Sequence, residues 1–309
     1  MTVEKLVFNN IKLVSLPEIC LQLQEQTESP SATAESIGKL VSTDAALSAR
    51  LLQLVNSAFY GINRPVDTIT RAVNLIGMRE LKNLAYAASV TEIFADIPDD
   101  IISMSDFWQH SAYCGIVARH LAKHCNILHN ERLFTVGLLH DVGRLLMCMQ
   151  LPQKTAQILE QQRQTGEDII MIEDEVLGYN HAEVGAQLLE YWNMSRNSCA
   201  SVKYHHSPQD AHDAYLESAL LNIANITAEV AKDYRTDTYS RLYDPYGALL
   251  DSDINVMNFI EEIMEKVEPC SFQITNITQE QIIDSIRVSA VGFSQILEVI
   301  YPIAARELT

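Results

Sequence analysis

The sequence is short of residues that interrupt helices and short of positive charge. It has only 11 glycines and 9 prolines in 309 residues, so long helices are favoured. Its 22 lysines and arginines are outnumbered by 40 aspartates and glutamates, for a formal net charge of −18. No Lys/Arg cluster is present. Because non-specific binding to DNA or RNA depends on clustered positive charge, we expect no nucleic-acid partner.

Paired cysteines, signal features and long apolar runs are also lacking. The six cysteines are scattered without a Cys-x-x-Cys spacing, and most fall in apolar helical patterns. This favours reduced, packed thiols over disulfides. No apolar run approaches the roughly 18 residues of a membrane span, and residues 1–5 lack the basic-then-apolar layout of a signal peptide. We therefore expect a cytoplasmic protein without a membrane partner.

What the sequence does have is helical periodicity. Apolar residues recur at spacings of three and four, and alternation with period two is almost missing, which predicts an all-α, multi-helical fold. Asp44, Thr68 and Ser103 mark helix starts, and Thr278 with Gln281 fits a capping box. The acidic, proline-containing turn at 96–100 is a candidate boundary. We predict three stretches, 11–98, 99–230 and 231–309, with a loop rich in Tyr and Asp at 236–253.

The stretch 133–147 is the most informative part of the chain. It is apolar on every side for about four helical turns except at His140, Asp141 and Arg144, so we predict one helix through a core. A buried carboxylate is unfavourable by several kcal/mol unless a cation or a metal ion accompanies it. Arg144, one turn after His140, fits either an anionic ligand or a salt bridge to a nearby carboxylate.

Other ligand-type residues occur in the same central region. His110 lies on the apolar face of a helix that begins near residue 107, His181 opens an amphipathic helix, and His205-His206 end another. Taken singly, His110 is typical of a satisfied core histidine and His181 of a helix cap. Taken together they predict a divalent transition-metal site for Fe, Mn, Zn or Ni, with ligands enough for two ions. The predicted ligands are His110, His140, Asp141, His181, His205 and His206.

Two further candidates have ordinary explanations. Asp106, one turn before His110, could extend the site, but its place in a capping box already accounts for a carboxylate there. His120 and His124 are four residues apart with basic neighbours, a pattern typical of a solvated helix face.

With these residues the chain resembles the HD superfamily of metal-dependent phosphohydrolases, and more specifically its HDOD subfamily. The resemblance rests on 138–144 (LLHDVGR), 178–185 (GYNHAEVG) and the 192–206 span, and on 51–61 and 72–77 nearer the N-terminus. It covers about residues 11 to 230. It implies that 11–98 is the N-terminal helical part of an HDOD module and that 99–230 is an HD-like core. No motif is recognised in 231–309 beyond helices.

The resemblance also implies a set of ligands. By similarity to the HD-GYP phosphodiesterases, which cut cyclic dinucleotides, the six predicted ligands fall at metal positions, and Asp106 falls where some members add a carboxylate. There are departures from that pattern. A later helical Asp of the family aligns with Asn225, a Lys after the doublet is replaced by Arg144, and Asn180 stands where a Gly-Tyr-Pro triplet needs Pro. An amide coordinates without bringing charge, so a dinuclear centre would be weaker.

The resemblance leaves three functions open. The favoured one is a regulatory or signal-transduction protein with an HD-type metal site that is catalytically weak or inactive. Its partners would be signalling proteins or a nucleotide-type ligand. The alternative is an active metal-dependent phosphohydrolase acting on a nucleotide or cyclic dinucleotide, with Asp141 and Arg144 as catalytic residues. A helical scaffold without metal is the third, and it predicts that no metal co-purifies.

Overall fold

The computed structural model describes residues 2–8, 14–128, 130–236, 253–290 and 292–302, and within these ranges the chain is helical without a strand, as predicted. The N-terminal helices are α1 (Val3–Phe8), α2 (Glu18–Glu28), α3 (Ala34–Val41), α4 (Ala45–Asn56), α5 (Ile69–Ile76) and α6 (Met78–Ile93). Among these helices, none is long and apolar enough to cross a membrane, and the same holds for the rest of the described chain.

The central and C-terminal helices follow in order. The central ones are α7 (Met104–His124), α8 (Arg132–Leu139), α9 (Val142–Gln150), α10 (Pro152–Thr165), α11 (Ile169–Leu177), α12 (His181–Tyr191), α13 (Arg196–Lys203) and α14 (Tyr215–Thr236). The C-terminal ones are α15 (Asp253–Lys266), α16 (Pro269–Thr275), α17 (Gln279–Ala290) and α18 (Phe293–Ile300). The predicted loop at 236–253 lies almost wholly outside the described residues.

Helix starts follow the capping residues. The side chains of Asp44 and Thr68 each accept a hydrogen bond from the backbone amide three residues later, at 2.9 and 3.3 Å. Thr278 and Gln281 form the predicted reciprocal pair, with bonds of 2.9 and 3.3 Å. Each satisfies backbone donors that a helix leaves free at its N-terminus.

The prediction of one continuous helix over 133–147 is wrong. Helix α8 ends at Leu139 and α9 begins at Val142, because the backbone at Asp141 turns to φ −100°, ψ 8°. The His140 side chain bonds back to α8, with Nδ1 donating to the Gly137 carbonyl at 2.7 Å. Both helices are buried, so apolar residues continue on either side of the break and the sequence pattern gives no sign of it. His140 and Asp141 therefore lie at a joint between two short core helices.

The buried apolar side chains form one contiguous core that extends from Leu6 to Ile300. Helix α7 runs through it and packs against α8, α14, α17 and α18. Helices α7 and α8 cross at two glycines: a Cβ added to Gly137 would lie 2.6 Å from the Gly115 Cα. The division at residues 98/99 and 230/231 stays a prediction, since residues on both sides of each boundary join this core.

A buried polar network connects α6 to α7. The Tyr60 hydroxyl donates to Glu80 Oε1 at 2.6 Å, and the Arg119 guanidinium lies over the Phe59 and Tyr60 rings, 4.2 and 4.6 Å from their centroids. Burial raises the pKa of Glu80 to about 7, although the hydrogen bond from Tyr60 and the charge of Arg119 act to lower it. Glu80 is thus a buried acid that titrates near neutrality.

Glu80→Gln should remove a pH dependence of stability. An acid with a pKa of about 7 when folded and about 4.5 when unfolded binds more protons in the folded chain. Its stabilising contribution is therefore complete below the unfolded pKa and is lost as pH rises through the folded one. At 1.36 kcal/mol per pKa unit, ionised Glu80 lowers the free energy of unfolding by about 3 kcal/mol.

Urea unfolding of both proteins between about pH 5 and pH 8 measures this. The variant should gain about 2 to 3 kcal/mol on wild type across that range, because Gln retains the acceptor for Tyr60 but does not ionise. The exposed Glu280→Gln on α17 is the control and should track wild type. Parallel curves for Glu80→Gln and wild type would contradict the assignment.

Candidate metal centre

Five elements bring the predicted ligands together. His110 comes from α7, His140 and Asp141 from the α8–α9 joint, His181 from the first position of α12, and His205 and His206 from the turn after α13; α14 adds Asn225. Their ligand-type atoms form two groups that share Asp141. We call the first the His110 group (His110, His140, Asp141 and Asn225) and the second the His181 group (Asp141, His181, His205 and His206).

Three of the histidines have their Nδ1 hydrogens committed outside the two groups. The acceptors, each at 2.7 Å, are the Gly137 carbonyl for His140, the Val202 carbonyl for His205 and the Glu173 carboxylate for His181. When Nδ1 of a neutral imidazole carries the hydrogen, Nε2 carries a lone pair. This is the arrangement in which metal-binding histidines are generally held.

The Nε2 atoms of these three histidines face Asp141. Their distances to Asp141 Oδ1 are 3.6 Å from His140, 3.1 Å from His181 and 3.8 Å from His205. Both Asp141 Oδ1 and His205 Nε2 are buried without a hydrogen-bond partner. Because buried acceptors of this kind are costly unless a donor or a cation satisfies them, the arrangement fits a divalent metal ion.

The spacing within the His110 group also fits one ion. The Nε2 atoms of His110 and His140 lie 3.3 Å apart, and Asn225 Oδ1 lies 2.9 Å from the first and 3.1 Å from the second. Ligands held at about 2.1 Å from one ion are themselves about 3.0 to 3.4 Å apart. Asn225 thus brings an uncharged oxygen to the two histidines of this group, and its role as a ligand stays a prediction.

The His181 group has similar spacing. His181 Nε2 lies 3.1 Å from Asp141 Oδ1 and 3.2 Å from His206 Nε2, and the rings of His205 and His206 are in contact, with centroids 4.0 Å apart. Three imidazoles and one carboxylate make a donor set that suits Zn, Fe, Mn or Ni. This group alone therefore offers four candidate ligands to one ion.

Burial decides the charge of most of these ligands. It lowers the pKa of His110 to about 3 and also lowers the pKa values of His140, His205 and His206, so these imidazoles are neutral near pH 7. His181 differs: burial acts to lower its pKa, but the carboxylates beside it raise it.

Asp141 is ionised for a different reason. Burial acts to raise its pKa, but the charge of Arg144 above all, together with His140 and His181 in their protonated forms, holds that pKa well below its ordinary value. Arg144 Nε lies 3.4 Å from Asp141 Oδ2. Of the two roles predicted for Arg144, the structure contains the salt bridge. Its side chain is one quarter exposed, so it also reaches the rim of the centre.

Glu173 belongs to the centre but was not predicted from the sequence. It is buried on α11 and accepts hydrogen bonds from both the backbone amide and Nδ1 of His181, at 2.8 and 2.7 Å. It thereby fixes the orientation and tautomer of His181. A signal was present, since Glu173 shares an apolar helical face with Ile169 and Ile172, an unusual place for a carboxylate.

Asp106 joins neither group. Its side chain is half exposed and its Oδ2 lies 2.7 Å from Lys232 Nζ, while its backbone amide donates to Ser103 Oγ at 3.2 Å. The structure thus places it at the start of α7 as part of a helix cap, outside the ligand set.

Asn222 connects the centre to the C-terminal helices. Its Nδ2 donates to the His205 carbonyl at 2.9 Å, and its Oδ1 accepts from Ser271 Oγ at 2.9 Å and from the Glu268 amide at 3.1 Å. One side chain therefore ties the backbone of a predicted ligand to the start of α16.

The chain matches the family model of the HDOD domain over residues 13–208. An uncharacterised protein of Treponema pallidum is 28% identical over 204 residues, which are 65% of this chain and 39% of that protein. The cyclic di-GMP phosphodiesterase CdgJ of Vibrio cholerae is 26% identical over 128 residues, 41% of this chain and 28% of that protein. The chain thus spans less than half the length of these relatives.

Solved structures show the same fold. A candidate phosphohydrolase from Shewanella amazonensis superposes with a TM-score of 0.64 at 24% identity, covering 93% of this chain and 97% of that one. An HDOD domain protein of unknown function from Geobacter sulfurreducens gives a TM-score of 0.61 at 20% identity, covering 93% and 99%.

Proposed function

The chain belongs to the HDOD family, and from that premise we propose that it is a regulatory protein whose HD-type site binds a divalent transition metal and turns over substrate weakly or not at all. The observation that carries the proposal is the set of buried Nε2 lone pairs around Asp141, whose Oδ1 has no hydrogen-bond partner. In such a place a divalent metal supplies positive charge and Lewis acidity.

Of the two groups, the His181 group is the one expected to bind metal more tightly. Two of its histidines, His181 and His205, are held by Glu173 and by the Val202 carbonyl before any ion arrives, so little ordering of these two remains on binding. Its two central imidazoles, of His181 and His205, are fully buried, which keeps water from competing for their lone pairs.

Charge supports weak or absent turnover. Asp141 is the one carboxylate in the two groups, and Arg144 already adds a positive charge beside it. Two divalent ions would bring four positive charges into this buried site, where unbalanced charge is costly. Because Asn225 contributes no charge, the His110 group should hold its ion weakly, and two-metal phosphoryl chemistry should suffer accordingly.

A ligand would meet the protein at the rim of the centre. Among the six predicted ligands only His110 and His206 are partly exposed; Arg144 is partly exposed too, and its charge acts on both imidazoles. A guanidinium in the same rim as partly exposed imidazoles suits a phosphate group, which supports a nucleotide-type ligand as the signal. Other signalling proteins as its recipients stay part of the proposal. The same geometry supports the second candidate function, an active phosphohydrolase in which Arg144 contacts the scissile phosphate.

Asp141→Asn tests the metal and the activity together. The substitution keeps the shape of the side chain but removes the carboxylate that both groups share. We expect reconstituted wild type to hold tightly bound metal by elemental analysis, and the variant to lose most of it from this centre. Turnover of a cyclic dinucleotide by wild type should stay far below the roughly 10 s⁻¹ of a typical enzyme.

The matched control is His212→Asn, which removes an exposed histidine outside the ligand groups at φ 44°, a conformation that Asn tolerates. Turnover at enzyme-like rates that Asp141→Asn abolishes would establish the phosphohydrolase instead. Wild type that holds no metal after reconstitution with Fe, Mn, Zn or Ni would leave only the scaffold.

A further inference from the structure

A second histidine–carboxylate cluster lies at the C-terminal end of α7. His120 and His124 are one turn apart on α7, and Asp284 faces them from α17. Their side chains are only 14% and 27% exposed, so the interpretation of these histidines as a solvated face is wrong. His120 is ten residues along the helix from His110, about 15 Å at 1.5 Å per residue. The cluster is therefore separate from the centre described above.

A hydrogen-bond chain fixes the tautomer of His120. The Ser285 hydroxyl donates its hydrogen to the Gln281 carbonyl at 2.7 Å, so its oxygen is left to accept from His120 Nδ1 at 3.1 Å. Nδ1 therefore carries the hydrogen and Nε2 carries the lone pair. The Nε2 atom lies 3.8 Å from Asp284 Oδ2.

His124 completes the convergence. Its Nε2 is buried, has no hydrogen-bond partner and lies 3.6 Å from the same Asp284 Oδ2. The ligand atoms of the three residues all lie within 4.8 Å of one another. Two histidines at i, i+4 on one helical face are a recurrent zinc-binding pair, because both rings reach the same point beside the helix.

The donor set of this cluster suits zinc. Two imidazole nitrogens and one carboxylate oxygen within reach of one point are ligands that Zn²⁺ accepts, with one position left for water. Asp284 is half exposed, so ions can enter from solvent.

We propose that His120, His124 and Asp284 form a second, zinc-type metal site that clips α17 onto α7. The site joins residues 160 apart in sequence and fastens the C-terminal helices to the core. Bound metal would thus stabilise the docked position of α17 and slow its local opening.

Zinc titration of the Asp141→Asn protein reduces binding at the other centre, because that substitution removes its shared carboxylate. Zinc binding that then depends on Asp284 is assigned to the new site. Adding Asp284→Asn should weaken it at least about tenfold, as loss of a charged ligand requires. Adding Glu280→Gln, an exposed acid one turn earlier on α17, should not. His124→Asn, made separately, should act as Asp284→Asn does.

Hydrogen exchange gives an independent readout in the otherwise unchanged chain. Zinc should slow amide exchange across 279–290 in the Glu280→Gln protein and have no such effect in the Asp284→Asn protein. Equal zinc affinity in the Asp284→Asn and Glu280→Gln proteins, or exchange in 279–290 that zinc does not alter in either, would overturn the proposal. Neither result tests whether metal binds at Asp141, so the two proposed metal sites are tested independently.

Discussion

Asn225→Asp is expected to add about one tightly bound metal ion per chain, in the His110 group, and to increase phosphodiester turnover by about 100-fold. The new carboxylate would take the place of an oxygen 2.9 Å from His110 Nε2 and 3.1 Å from His140 Nε2. It would add the negative charge that the His110 group lacks, in a position that is 95% buried. A gain of 100-fold corresponds to about 2.7 kcal/mol of transition-state stabilisation, a modest share of what two-metal sites supply.

Elemental analysis and a cyclic-dinucleotide assay of the reconstituted proteins measure the two effects. Asn197→Asp on the first turn of α13 makes the same chemical change outside both ligand groups, where a carboxylate suits a helix N-terminus. It should leave metal content and turnover as they are in wild type. If Asn225→Asp binds no additional metal, charge deficiency is not what limits the His110 group.

Gly143→Ala should cost about 3 kcal/mol or more of stability and disrupt the metal centre. A Cβ at this position would lie 2.0 Å from the His181 carbonyl and 2.6 Å from the Gly185 amide nitrogen, both backbone atoms that cannot move aside alone. Helices α9 and α12 would have to separate, which would carry His181 away from Asp141. Overpacking of this kind outweighs the roughly 1 kcal/mol by which Ala favours a helix over Gly.

Gly185→Ala is a matched control at the same crossing. Its Cβ would meet Val202 Cγ1 at 3.2 Å, a contact that a small side-chain shift relieves, and Gly143 N at 3.4 Å, an ordinary van der Waals distance. We expect its stability to stay within about 1 kcal/mol of wild type, with metal retained. Urea unfolding in chelator gives the stabilities, and elemental analysis gives the metal. Equal behaviour of the two variants would show that the α9–α12 crossing opens freely.

The features that the sequence predicts well are local. Asp44, Thr68 and the Thr278–Gln281 pair act within one helical turn, so their neighbours in sequence contain the information. The sequence points to His110, His140 and Asp141 because His and Asp are rare on apolar helical faces. It points to His181, His205 and His206 because they stand at helix ends in the same region. The structure brings all six together, while their roles as ligands stay a prediction.

What the sequence does not predict depends on residues far apart in the chain or on a single dihedral. The break at Asp141 leaves the apolar periodicity intact, so no pattern marks it. Lys232, which pairs with Asp106, lies 126 residues away from it, and Asp284 lies 160 residues from His124. The interpretation of His120 and His124 as a solvated face used only their neighbours in sequence, and such distant partners cannot be found in that way.

If the candidate centre binds metal, the hydrogen bonds of the Asn222 side chain link that binding to the docking of α16. Asn222 is hydrogen-bonded to the His205 carbonyl and to Ser271 at the start of α16. A position of α16 that improves the ligand geometry would therefore be stabilised by bound metal. By thermodynamic reciprocity, undocking of α16 would lower the affinity for metal by the same factor by which bound metal shifts the docking equilibrium of α16. On the proposed function, the position of α16 would therefore report whether metal is bound, although no residue of α16 belongs to either ligand group.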